Sequence, residues 1–84
     1  MNYKVLVKLY VPEIEQNFEL YLPINKTIYQ VTELLVNIVS EITTGLYPVR
    51  AGRKLWDRFT GEMYDNKILV RKSTIRNGTE IVLF

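Results

Sequence analysis

The stretch from Thr27 to Thr44, TIYQVTELLVNIVSEITT, constrains the fold more than any other part of the chain. Ile28, Val31, Leu34, Leu35, Ile38 and Ile42 recur at helical spacing, which predicts one amphipathic helix over about residues 28–43. Thr27 suits the N-cap, and Gln30 stands where a capping box needs its third residue. Gly45 suits a left-handed stop at the other end. Gln30, Thr32, Glu33, Asn37, Ser40 and Glu41 read as the polar face, with Val36 and Val39 toward its edges. The β-branched residues lower helix propensity, so packing of the apolar stripe must supply most of the stability. No other long helix is available as a partner, and the helix therefore needs a sheet to lie on.

The sheet is legible on either side. Tyr3, Val5, Val7, Leu9 and Val11 alternate with Lys4, Leu6, Lys8 and Tyr10, the pattern of a half-buried strand over residues 3–11. Pro12 closes it. After a turn over Glu13 to Asn17, Phe18, Leu20 and Leu22 alternate with Glu19 and Tyr21, so the two strands read as a hairpin. Beyond the helix, residues 46–52 form an irregular connection. KLWDRF reads as a short strand, Thr60-Gly61 as a turn, and Glu62-Met63-Tyr64 as another short strand. Ile68 to Ser73 fits one turn of 3₁₀ helix, Ile75 an anchor beneath the domain, and Asn77-Gly78 a turn needing positive φ. TEIVLF, residues 79–84, is the last strand. An amphipathic helix across one face of a mixed sheet is an α+β arrangement. With the first and last strands side by side in the middle, it becomes a β-grasp.

Composition narrows the chemistry. Eighty-four residues make one domain, 1–84. There is no Cys and no His, which removes disulfides and the usual ligands and bases of metal and acid–base chemistry. Ser40 and Ser73 have no His to activate them, and Glu13, Glu15 and Glu19 read as solvated charge around one turn. Gly52 and Gly61 are isolated turn glycines, not a phosphate loop. No apolar run approaches the ~20 residues of a membrane span. The chain is expected to be non-enzymatic and cytoplasmic, without cofactor, metal or direct membrane insertion.

Charge is uneven along the chain. Residues 1–49 hold three basic and five acidic residues, and residues 50–84 hold eight and four. Arg50, Arg53, Lys54, Arg58, Lys67, Arg71, Lys72 and Arg76 accompany Trp56, Phe59 and Tyr64. Basic residues with aromatics can track a backbone and stack bases, so single-stranded nucleic-acid binding is the alternative function, ranked below protein docking. An edge strand that captures a small GTPase or a membrane-protein tail is a third reading.

Over nearly its whole length the chain resembles ubiquitin. The likeness rests on V5-L-V-K-L, F18-E-L-Y-L, the helix opening at Thr27, the hairpin at Leu55-Trp56-Asp57, and I75-R-N-G-T-E-I-V-L-F. Within that superfamily it most resembles the bacterial YukD/EsaB-type ubiquitin-like proteins of type VII secretion loci. Their hydrophobic-D-x-x-T-G hairpin and Ile-x-Asn-Gly turn read here as Trp56-Asp57-Arg58-Phe59-Thr60-Gly61 and Ile75-Arg76-Asn77-Gly78. Conjugating ubiquitin-like proteins end in a flexible diglycine tail, whereas this sequence ends Ile81-Val82-Leu83-Phe84, as the YukD-like group also lacks the diglycine. The resemblance implies a small adaptor or regulator that docks on a protein partner, such as a secretion-system component, without conjugation. Mapped on a ubiquitin-like sheet, Val5, Val7, Phe18, Leu20, Leu22, Leu55, Ile81 and Leu83 face the helix. Leu6, Trp56, Val82 and Phe84 then form an apolar docking patch on the opposite face, with Lys8 and Arg58 as rim charges. Such a patch is expected to give a weak homodimer when no partner is present.

Overall fold

A computed structural model describes residues 3–84. Strands β1 (Lys4–Val11) and β2 (Gln16–Pro23) form the first hairpin, joined through a 3₁₀ turn at Pro12–Ile14. Helix α1 spans Ile28–Ile42, β3 spans Leu55–Asp57, a second 3₁₀ turn spans Val70–Lys72, and β4 spans Glu80–Leu83. The sheet order is β2-β1-β4-β3. The central pair β1 and β4 is parallel, and each outer strand is antiparallel to its neighbour. β2 and β3 lie at opposite edges, so the chain must cross the sheet between them, and α1 lies on that crossover. This is the ubiquitin-like β-grasp, an α+β fold with one helix on one face of a mixed sheet.

The ends of α1 follow from local chemistry. The Thr27 hydroxyl accepts from the Gln30 N–H at 3.2 Å, and the Gln30 side chain accepts from the Thr27 N–H at 2.9 Å, which completes the capping box. At the far end Gly45 has φ of +83° and donates to the Ser40 carbonyl at 2.8 Å.

The buried face of α1 is rotated from the expected one. Ile28, Val31, Thr32, Leu35, Val36 and Val39 are buried, whereas Leu34 is 42% exposed and Ile42 is 59% exposed. Apolar residues wrap more than half of this helix, so periodicity alone leaves the centre of the stripe undetermined. Packing on the sheet chooses the centre. Thr32 joins the buried side at no polar cost because its hydroxyl donates to the Ile28 carbonyl at 2.7 Å.

From the sheet, Val7, Leu9, Val11, Leu22, Leu55, Ile81 and Leu83 are fully buried in the same core as the helix. Val5, Phe18 and Leu20 point the same way but are only partly covered, toward the β2 edge. Ile75 is 1% exposed, as an anchor should be. Residues 62–64 are not a strand: one bridge joins Trp56 to Met63, and two hydrogen bonds close the hairpin. The chain then turns away so that Asn66 and Ile68 can accept from the first N–H groups of α1, Tyr29 and Ile28. Tyr47, in the irregular connection, is among the largest fully buried side chains.

Candidate protein-docking face

The outer face of the sheet carries Lys4, Leu6, Lys8 and Tyr10 from β1, and cross-strand register decides their neighbours. Tyr10 pairs with Val82, and Val82 pairs with Trp56, so three apolar side chains form one row. Phe84 continues past that row, exchanging backbone hydrogen bonds with Lys54 at 3.1 and 3.4 Å, and its side chain is 66% exposed. Pro12, Trp56, Asp57, Arg58, Gly61, Val82 and Phe84 line one shallow hollow of about 410 Å³. Trp56 is on the outer face, as its alternation with Leu55 requires, but it is half-buried, not open. Its indole nitrogen is covered and makes no hydrogen bond.

A charged row bounds this surface. Glu19, Lys8 and Glu80 stand side by side on β2, β1 and β4, and the Arg58 N–H donates to the Glu80 carbonyl at 3.2 Å. The signs alternate, which is favourable for cross-strand neighbours. The Arg58 guanidinium reaches the Glu80 carboxylate at 3.7 Å and the Asn17 side chain at 3.3 Å. It lies 4.6 Å from the centroid of the Tyr10 ring, a cation–π geometry.

Four of the six residues expected in the patch, Trp56, Arg58, Val82 and Phe84, therefore share one hollow. Lys8 sits in the charged row beside it. Leu6 does not join them: it is on the same face, but the Lys8–Glu80 pair intervenes and its cross-strand neighbour is Tyr21. Pro12 lines the hollow instead, and Tyr10 stands beside Val82 in the adjoining row. The signal for Tyr10 was its position on the outer face of β1. What the sequence lacked was the register of two strands some seventy residues apart.

The hairpin motif W56-D-R-F-T-G61 has a structural explanation. The Asp57 carboxylate accepts from the N–H groups of Phe59 at 2.8 Å and Thr60 at 3.0 Å, and from the Tyr64 hydroxyl at 3.2 Å. Gly61 takes φ of +73° and donates to the Asp57 carbonyl. The Thr60 N–H above all holds the Asp57 carboxyl below the ordinary carboxylate range. The folded pKa is depressed, so this contribution is present above the unfolded pKa and is lost as pH falls through the folded value. Asp57→Ala is expected to cost about 1–2 kcal/mol at neutral pH in urea unfolding, and the difference from wild type should shrink in acid.

The basic residues of the alternative reading do not form one surface. Arg53 is buried, its side chain 8% exposed, paired with Glu13 at 3.3 Å and bonded to the Pro48 carbonyl at 3.0 Å. Its guanidinium covers the Tyr47 ring at 3.8 Å. Tyr64 is buried, and burial first of all raises its pKa. Arg53 and Tyr64 are thus unavailable to a strand of nucleic acid. No group of three or more acidic side chains suited to a metal occurs among the described residues. No helix among them is long and apolar enough to cross a membrane.

No protein-family model and no curated protein matches the sequence. Solved structures do match. The EccD5 ubiquitin-like domain from Mycobacterium xenopi superposes with a TM-score of 0.81 at 13% identity, covering 99% of this chain and 94% of that one. The ubiquitin-like domain of the Mycobacterium tuberculosis type VII secretion system protein EccD1 gives 0.76 at 11% identity, covering 99% and 98%. A chain of the MycP5-free ESX-5 inner membrane complex gives 0.81 at 16% identity over 99% of this chain, but this chain spans only 21% of that one. Identities this low establish the fold alone. Ubiquitin-like domains, including those of type VII secretion components, are thus among the structural neighbours of this β-grasp, as is a chain of a toluene 4-monooxygenase complex with a TM-score of 0.78 at 11% identity.

Proposed function

We propose that the chain is a single-domain, non-enzymatic adaptor or regulator of the YukD/EsaB type, which docks noncovalently on a protein of a type VII secretion apparatus in the cytoplasm. The observation that carries the proposal is the hollow at the end of the outer sheet face. It combines a half-buried Trp56, an exposed Phe84, Val82 and Pro12 with one cation, Arg58, already held by Tyr10 and Glu80. An aromatic anchor rimmed by a pre-positioned arginine is the composition of an interface hot spot. Supporting it are the motifs at Asp57 and Asn77 and the secretion-associated structural neighbours.

The test uses purified cytoplasmic segments of the secretion apparatus from the same cell, titrated calorimetrically with wild-type and Trp56→Ala protein. Wild type is expected to bind, and Trp56→Ala to lose at least ~2 kcal/mol of binding. Folding stability should fall by only about 2–3 kcal/mol, because a half-buried Trp loses less on truncation than a fully buried one. The complex should dissociate in denaturing electrophoresis, and the free protein should self-associate weakly at high concentration through the same patch. Unchanged affinity in Trp56→Ala would remove the face from the proposal. Normal secretion after deletion of the chain, with no component bound, would remove the secretion role.

A further inference from the structure

The fold gathers positive charge that the sequence scatters. β1 begins at one end of the sheet, β2 finishes there opposite it, α1 follows from that end, and β4 runs parallel to β1 starting opposite Lys8. Backbone hydrogen bonds tie the later segments to the same end. Val70 donates to Lys26, Arg71 to Ile24, Ile24 to Tyr3, and Gly78 to Leu6. Segments 3–4, 23–28 and 65–79 thereby form one pole, and within them Lys4, Lys26, Lys67, Arg71, Lys72 and Arg76 stand against the single carboxylate of Asp65. The rest of the chain holds five basic residues against eight acidic ones. The half-and-half charge split of the linear sequence is thus not the spatial one. Lys4 and Lys26 come from the acidic first half, while Arg50, Arg53 and Lys54 go to the opposite pole.

Lys26, Lys67, Arg71 and Lys72 are exposed and make no ion pair among the described residues. Their charge is therefore not spent on the fold. Tyrosines surround the pole: Tyr3 is 55% exposed, Tyr21 61% and Tyr29 52%. Tyr29 sits where α1 meets Asn66, and Tyr3 where β1 meets Ile24. Tyrosine is favoured at the level of lipid headgroups because its ring is apolar and its hydroxyl wet.

We propose that this pole is an adsorption surface for a bilayer bearing anionic headgroups, which the protein contacts without inserting. Exposed cations at one pole, with Lys26, Lys67, Arg71 and Lys72 in no ion pair among the described residues and tyrosines at the margin, match a plane of negative charge. The hollow that flanks Lys72 is lined by Asp57, Glu62 and Asp65, so no anionic ligand that needs a groove, a nucleic-acid strand included, suits it, and the positive charge lies on the exposed side chains outside it. Adsorption through this pole points the Trp56–Phe84 end away from the lipid. The proposal uses none of the docking residues and stands or falls independently of them.

The experiment is co-sedimentation of the full chain with vesicles of phosphatidylcholine alone and with vesicles that also contain phosphatidylglycerol. Binding is expected to the anionic vesicles only, weakening as salt is raised. A surface Lys or Arg strengthens such adsorption about fivefold. Arg71→Gln combined with Lys72→Gln should therefore weaken it about 25-fold. Arg50→Gln combined with Lys54→Gln changes net charge equally but at the other pole, and should change it less than about twofold. Both double variants substitute side chains outside the core, and an unchanged unfolding midpoint verifies their fold. Three results would overturn the proposal: equal binding to both kinds of vesicle, equal loss in the two charge-matched variants, or tighter binding to an oligonucleotide than to anionic vesicles at the same salt.

Discussion

Leu35→Ala should destabilise the protein by about 2–5 kcal/mol, while Leu34→Ala, one residue away on the same helix, should cost less than ~1 kcal/mol. Leu35 is fully buried and Leu34 is 42% exposed. Truncating Leu35 removes its burial and leaves a cavity beneath α1 that neighbours on the sheet cannot fill. Truncating Leu34 removes a side chain whose outer half already meets water. Urea unfolding followed by Trp56 fluorescence measures both. The pair is diagnostic because the linear pattern places both leucines in the apolar stripe, and Leu34 and Ile38 would have been the natural choices for a core test. Equal costs would mean that α1 is rotated from the position described.

Tyr47→Ala should cost about 3–5 kcal/mol, and Tyr47→Phe less than ~1 kcal/mol at neutral pH. The ring is fully buried, and its other face carries the Arg53 guanidinium at 3.8 Å. Removing it leaves Arg53, paired with Glu13 across the 3₁₀ turn, without the surface it packs on. Removing only the hydroxyl takes away a buried polar atom that makes no well-formed hydrogen bond. The same hydroxyl predicts an alkaline signature. Burial pushes its pKa up to about 12 from the ordinary 10.0. A raised folded pKa means that stability is fully present below the unfolded pKa and falls as pH rises through the folded one. Wild type should lose about 2 kcal/mol from this group between pH ~10 and ~12, and Tyr47→Phe should lack that component. Unfolding midpoints across that range, with tyrosinate absorbance to follow ionisation, give the comparison.

Both experiments probe packing, and the proposed docking face depends on the same packing. The apolar row beside the hollow exists because β1 and β4 align Tyr10 with Val82, and β3 sets Trp56, at the base of the hairpin held by Asp57, on the other side of Val82. Asp57 thus serves the face without belonging to its apolar surface. Its hydrogen bonds shape the turn from which Arg58 reaches back over Tyr10.

Local chemistry was legible in the linear sequence. The period of Ile28, Val31 and Leu35 predicted a helix, and Thr27 with Gln30 predicted where it begins, because capping is settled within one turn. The alternation of Val7, Leu9 and Val11 put those residues on one face, because a strand has only two, and the resemblance to ubiquitin turned Val7, Ile81 and Leu83 toward the helix, where all five are buried. Gly61 marked a turn and Asn77-Gly78 a turn of positive φ for the same local reason, and both glycines take positive φ. Tertiary structure decided whatever depends on partners distant in the chain. It chose Leu35, Val36 and Val39 over Leu34 as the buried side of a helix that is apolar most of the way round. It drew Tyr47 out of an irregular connection into the core and set Arg53 over it. It put Tyr10, not Leu6, beside Val82 and Trp56, and it gathered Lys4 and Lys26 with Lys67, Arg71 and Lys72 at one pole. Periodicity reports which residues share a face of one element. Which part of that face is covered, and what lies beside it, is settled by the register and packing of elements that meet only once the chain has folded.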